Sequence, residues 1–219
     1  ESVKNFRLAL AREKNLKKIT QSYYVIALRN FLKKLIKKDY EVLAPDKIEL
    51  PKIPQRQIEV IEFSDLERLL EAPQGDSPRA LRDKAILELL FSTGLRLSEL
   101  CALNRYLNFD RGEVTVRGKG DKLRLVFVSD TARSAIKKYL SKRTDTLEHL
   151  FISLNKTNKD IGKITSRAVQ RLVDFYARKA GITRRITPHG LRHLFATDLL
   201  MNGADLRSVE ELLGHASVS

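Results

Sequence analysis

The chain has 219 residues, 42% hydrophobic and 31% charged, which suits an ordinary globular protein with a full core. Its 41 basic residues against 27 acidic ones leave a net charge of +14, which points to a polyanionic partner: nucleic acid first, an anionic membrane surface second. No apolar run approaches the roughly 18 residues of a spanning helix, the start lacks a signal peptide's apolar segment, and a single cysteine, Cys101, excludes an intramolecular disulfide framework and a cysteine cluster for zinc. The expectation is a cytoplasmic protein with no membrane contact, in which Cys101 is a small buried hydrophobe.

Residues 2–13 and 20–38 read as two helices joined by a basic turn at 14–18. In the second, Tyr24, Ala27, Leu28, Phe31, Leu32 and Leu35 recur at helical spacing and are expected to be its buried stripe. Arg29, Lys33, Lys34, Lys37 and Lys38 fall mostly off that stripe. With Lys17, Lys18 and Gln21 they form either a plain solvated face or a track for DNA phosphates. Two helices with one stripe each cannot enclose a core alone, so this region calls for partner helices.

Residues 43–60 change character. Pro45, Pro51 and Pro54 among Lys47, Lys52 and Arg56 suggest an extended basic linker. A second domain is expected from residue 61, opening on a capping box at Ser64-Asp65-Leu66-Glu67. Ser77-Pro78 begins another helix, which Thr93-Gly94 stops, and Arg96 leads at once into a short helix with Leu97, Leu100 and Leu103. The clear β signal is a hairpin: residues 113–117 and 122–128 alternate in character around Gly118-Lys119-Gly120-Asp121, placing Lys119 at its tip. Residues 150–153 are a candidate third strand.

Helices follow at about 130–140 and 165–180. The second is expected to bury Ala168, Leu172, Phe175 and Tyr176 and to turn Arg167, Gln170 and Arg171 outward. With Ser166 and Arg167 near its start it suits a major groove, or it is simply an amphipathic surface helix. Thr187 is a good N-cap, with Pro188 where a helix tolerates proline best. His189 and Arg192 then share a face near that N-terminus, which already favours an anion. The helix stops at Asn202-Gly203, another restarts after Asp205, and Gly214 ends it, leaving His215 at the exit.

Arg96, Lys119, His189, Arg192 and His215 together form a chemical set. Paired guanidinium donors hold a phosphate and offset extra charge in its transition state. A lysine can protonate a departing alkoxide, and a histidine can move a proton near neutral pH. A pocket with three permanent cations repels itself when empty, so it makes sense as a phosphodiester site. No Ser, Cys or acid is evidently paired with a base as a nucleophile, and no carboxylate cluster suggests a metal.

Ser92-Thr93-Gly94-Leu95-Arg96-Leu97-Ser98-Glu99-Leu100, Gly118-Lys119-Gly120, His189-Gly190-Leu191-Arg192-His193 and Leu213-Gly214-His215-Ala216-Ser217 resemble the motifs of the tyrosine recombinase (phage integrase) family, above all its Xer branch. The likeness runs from about residue 60 to the end. It implies a mainly α fold with a small antiparallel β-sheet: a catalytic domain at 61–219, a linker at 43–60, and at 1–42 the C-terminal half of a helical core-binding domain. It further implies that Arg96 and Arg192 bind phosphate, that Lys119 is the general acid for the 5′-hydroxyl, that His189 is a general base and that His215 is a phosphate hydrogen-bond donor. Glu99 would orient a basic partner. Candidate DNA contacts are Lys17, Lys18, Gln21, Arg29, Ser166, Arg167, Gln170 and Arg184.

The family cuts and rejoins double-stranded DNA through a 3′-phosphotyrosine intermediate, without cofactor or metal, in a homo-tetramer at synapsis. Its nucleophile is a tyrosine shortly beyond the position of His215. The last tyrosine here is Tyr176, so the chain is expected to lack the nucleophile and to be inactive as given. A type IB topoisomerase uses a similar site but reseals the same strand, and a DNA-binding homologue would need only the basic faces. A zinc hydrolase using His189, His193 and His215 is disfavoured, since the segment lacks the glutamate of the HExxH motif.

Overall fold

The computed structural model describes residues 2–13, 16–51, 61–118, 121–155, 157 and 160–214. It divides into two compact units, residues 1–58 and 59–219. In the first unit, α1 (Ser2–Arg12) and α2 (Lys18–Ile36) are the expected helices, with ends shifted by a residue or two.

The buried side of α2 differs from the expected stripe. Val25 and Leu32 are buried with Leu10 and Ile48, flanked by Leu28 and Leu35. Tyr24 and Phe31, in contrast, are 48% and 58% exposed, and Ala27 faces solvent too. This helix is apolar on more than one side, so periodicity alone could not choose between them. Residues 42–48 chose, because Val42 and Ile48 pack on the Val25 side. The first part of the presumed linker is therefore packed structure: Pro45–Lys47 form a 3-10 turn against α2, and Asp46 accepts from Arg29 at 2.9 Å. Residues 52–60 lie outside the described residues.

The second unit is built around α4 (Pro78–Thr93). Ala85, Ile86, Leu87, Leu89 and Leu90 are all at most 1% exposed, so apolar side chains cover nearly the whole circumference of α4. A helix of that kind must be sheathed by others. The sheath is α3 (Phe63–Glu71), α6 (Asp130–Ser141), α7 (Ser166–Lys179), α8 (Pro188–Met201) and the hairpin strand β2 (Leu123–Phe127). The Ser64 capping box does not form: α3 starts at Phe63, which places Ser64 inside the helix, and Asp65 instead pairs with Arg68 at 2.5 Å. Ser77 caps α4 through Ala80 N–H, and Cys101 is buried, both as expected.

The hairpin joins β1 (Glu113–Arg117) to β2 with Val114 opposite Val126. Residues 150–153 do not extend it. Instead β3 (Ile152–Leu154) pairs antiparallel with β4 (Asp160–Lys163) in a sheet of its own. The Asp-Ile-Gly-Lys sequence of β4 has little β propensity, so only the partner strand makes it extended. On α7, Val169, Leu172, Val173, Tyr176 and Ala177 are buried. Phe175, expected inside, is 56% exposed and packs edge-on to the Tyr176 ring, while Ala168 is only half-buried. No described helix is long and apolar enough to cross a membrane.

Candidate active site

Local chain geometry sets up each arginine. Thr93 ends α4 by donating to Leu89 O, and Gly94 follows in the left-handed region at φ 56°, the usual glycine exit from a helix. A Cβ on Gly94 would overlap the Phe195 ring, so glycine is required there by both conformation and space. The turn buries Leu95 and places Arg96 at the N-cap of α5 (Leu97–Ala102). On α8, Thr187 accepts from Gly190 N–H and Pro188 takes the first position, as read from the sequence. His189 on that first turn is exposed, whereas Arg192, one turn on, is 6% exposed.

Arg192 and Arg96 converge. Arg192 donates to Gly94 O and to Leu213 O, both at 2.5 Å, tying the exit of α4 to the end of α9 (Leu206–Leu213). Arg96 donates to Gly214 O at 2.8 Å and to Glu99 Oε1 at 3.0 Å. Glu99 also accepts from the Arg96 backbone N–H at 2.8 Å. A third arginine, which sequence reasoning passed over, completes the group. Arg124 on β2 holds both Glu99 oxygens at 2.7 Å and reaches Leu212 O with its Nε at 2.9 Å. A signal for it existed: strand alternation puts Arg124 on the inward side with Val126, where a cation needs a partner.

Charge explains why the group holds together. Burial alone would raise the Glu99 carboxyl, but hydrogen bonds from Arg124, from the Arg96 backbone and from the Arg96 side chain outweigh it and bring the group to about 2. Glu99 is therefore ionised at neutral pH. Burial, then the charges of Arg96 and Arg124, lower Arg192 to about 10, with Glu99 opposing them. Arg192 stays charged at pH 7, in a site where three guanidiniums share one carboxylate. Such a site gains from an incoming anion.

A cleft of about 750 Å³ opens on this group, lined by Arg96, Arg192, His189, Arg167, Gln170, Arg171, Asp174 and Arg185 among others. Arg167 and Gln170 of the expected DNA contacts thus stand beside Arg96 and Arg192. Arg171 and Arg185 join them. Ser166 starts α7 with its Oγ 4.0 Å from Cys101 Sγ, and Arg184 is ion-paired with Glu62. In the first unit Lys17 and Lys18 are exposed, Gln21 donates to Leu16 O at 3.0 Å, and Arg29 holds Asp46. Lys119 and His215 lie outside the described residues. Their neighbours Gly118 and Gly214 do not: a Cβ on either would sit 3.1 Å from the Arg124 side chain.

The cleft can hold a phosphodiester and stabilise added negative charge on it. Tyr176 is not among the residues that line the cleft. That residue is 6% exposed, its hydroxyl donates to Asp83 Oδ2 at 3.2 Å, and burial, followed by the Asp83 charge, raises its pKa.

Known proteins resemble this chain in sequence and fold. The Tyrosine recombinase XerC of Thermodesulfovibrio yellowstonii is 41% identical over 94% of this chain, which spans 70% of that protein. The crystal structure of a XerA recombinase superposes with a TM-score of 0.66 at 32% identity, over 99% of this chain and 74% of that one. The XerH site-specific recombinase bound to palindromic difH substrate gives a TM-score of 0.71 at 26% identity, over 93% and 60%. Residues 59–219 match the family described as the phage integrase family. With the motif arginines placed as above and these relatives covering nearly all of its length, the chain belongs to the phage integrase family as a Xer-type tyrosine recombinase.

Proposed function

We propose that the chain carries the DNA-cleaving site of a site-specific recombinase, which cuts and rejoins duplex DNA through a 3′-phosphotyrosine link. The observation that carries this is the convergence of Arg96, Arg192 and His189 on one basic cleft. Each arginine keeps part of its five-donor fork beyond the contacts above, enough to grip non-bridging oxygens of the scissile phosphate. A tyrosine oxygen bonds to phosphorus as the bond to the 5′ oxygen breaks. Lys119 supplies the proton to that leaving oxygen, His189 handles the proton of the attacking hydroxyl, and His215 donates to the phosphate. The covalent link conserves the bond energy, so neither a nucleotide nor a metal is called for. Tyr176, tied to Asp83, is not the attacking tyrosine in this scheme, so residues 1–219 by themselves are expected to bind DNA without cutting it.

Arg167 and Gln170 on α7 contact the duplex beside the scissile phosphate, with Ser166 at the start of that helix and Arg184 near its far end. Lys17 and Lys18, with Gln21 and Arg29 behind them, give the first unit its own phosphate-facing surface. Cutting four strands at synapsis calls for four protomers. The topoisomerase alternative is not favoured, since the relatives bear the names of recombinases.

The test uses the complete open reading frame that carries this chain. A site is first selected by binding from a randomised palindromic duplex library, then remade as a nicked suicide substrate that traps the covalent complex. Arg96→Ala and Arg192→Ala should each slow trapping by about a hundredfold or more, the scale for losing one preorganised donor. DNA affinity should change far less and should fall steeply with salt in all three proteins, since many other cations hold the duplex. Trapping by either variant at the wild-type rate would refute the phosphate assignment.

A further inference from the structure

We propose that Arg124 is a positioning residue for cleavage: it fixes the carboxylate that aims Arg96 and anchors the end of α9 beneath both phosphate arginines. This rests on the recombinase function proposed above. Arg124 is not among the residues that line the cleft, and its side chain is 9% exposed, so it acts through others. Glu99 Oε1 is shared between Arg124 and the Arg96 guanidinium, and Oε2 between Arg124 and the Arg96 backbone N–H. The carboxylate therefore holds Arg96 at two points, and the planar fork of Arg124 sets its angle. Only an arginine can do this, because a lysine offers no second parallel donor.

The other end of the guanidinium carries the wider consequence. Three consecutive carbonyls at the end of α9 each accept from a different arginine: Leu212 from Arg124, Leu213 from Arg192 and Gly214 from Arg96. Helix ends leave such carbonyls without intrahelical partners, and their partial negative charge suits cations. The arginines thus satisfy the helix end, and the helix end holds the arginines in register. Gly118 and Gly214, the residues before Lys119 and His215, both approach the Arg124 side chain so closely that a Cβ would lie 3.1 Å away. Among the described residues, Arg124 lies against Gly118, against Gly214 and against the carboxylate under Arg96.

The experiment is a mutant cycle in the complete protein with the suicide duplex described above. Arg124→Ala should slow single-turnover cleavage by about a hundredfold, the scale on which a displacement of about 1 Å acts. DNA affinity should be unchanged, and Arg124→Lys should fail to rescue the rate. The decisive variant is Arg96→Ala/Arg124→Ala. If Arg124 works through Arg96 and its neighbours, the double variant loses less than the two single losses combined. A purely structural role would instead give additive losses that track melting temperature. Near wild-type cleavage by Arg124→Ala, rescue by Arg124→Lys, or additive losses would each overturn the proposal. Should Arg124→Ala fail to fold, Arg124→Lys completes the same cycle. A wild-type rate for Arg96→Ala would count against the recombinase function itself, and so separates the two failures.

Discussion

Glu99→Gln is the most direct probe of the arginine cluster, because its effect on stability can be worked out without reference to catalysis. The carboxyl lies at about 2 against an ordinary 4.5, with its side chain 4% exposed. At roughly 1.4 kcal/mol per tenfold change in proton affinity, that difference corresponds to about 3 kcal/mol of folding stability at neutral pH. A depressed carboxyl contributes fully above its unfolded value and loses the contribution as pH falls through the folded one. The window therefore runs from about 4.5 down to about 2.

Glutamine keeps the shape but loses the charge, and its amide group meets an arginine donor where Glu99 offers an acceptor. Arg96, Arg124 and Arg192 then lose their shared counter-ion. Removing one partner from a buried charge group costs about 3–5 kcal/mol, which agrees with the figure from the carboxyl. For a domain of this size, about 2–4 °C per kcal/mol gives a fall in melting temperature of roughly 6–12 °C at pH 7. Thermal melts of both proteins between pH 7 and pH 2.5 measure it. The gap should be constant above pH 5 and shrink below it as the wild type loses its advantage. A variant that melts with the wild type at pH 7, or a gap that does not narrow in acid, would refute the electrostatic account.

Two further outcomes are expected. Gly94→Ala forces an L side chain into the left-handed region, at about 1–2 kcal/mol, and drives its Cβ into the Phe195 ring. It should lower the melting temperature and also slow cleavage, because Gly94 O is where Arg192 is held; a variant with wild-type melting and cleavage would count against that link. Tyr176→Phe removes a single hydrogen bond to Asp83 and should cost about 1 kcal/mol in a denaturant titration while leaving covalent trapping intact. Loss of trapping in that variant would make Tyr176 the nucleophile after all.

The helix ends at Ser77, Gly94, Thr187 and Gly214 were legible from residue order, because they are local events. Thr187 caps the N–H three residues on, Ser77 does the same for α4, and Gly94 and Gly214 end helices through their own positive φ. Such signals need only a few neighbouring residues, and the Arg96 and His189–Arg192 motifs are built on them. Wherever a choice depended on residues distant in sequence, the sequence alone did not decide. α2 carries apolar residues on two sides, and only Val42 and Ile48 selected the Val25 side over Tyr24 and Phe31. β4 is a strand because β3 offers it partners, not because Asp-Ile-Gly-Lys favours extension. Arg124 reads as one more basic residue in a basic chain until folding brings it to Glu99, 25 positions away, and to Leu212, 88 positions away. A charge in the interior is tolerated only beside partners that answer its hydrogen bonds, and only the tertiary structure supplied them.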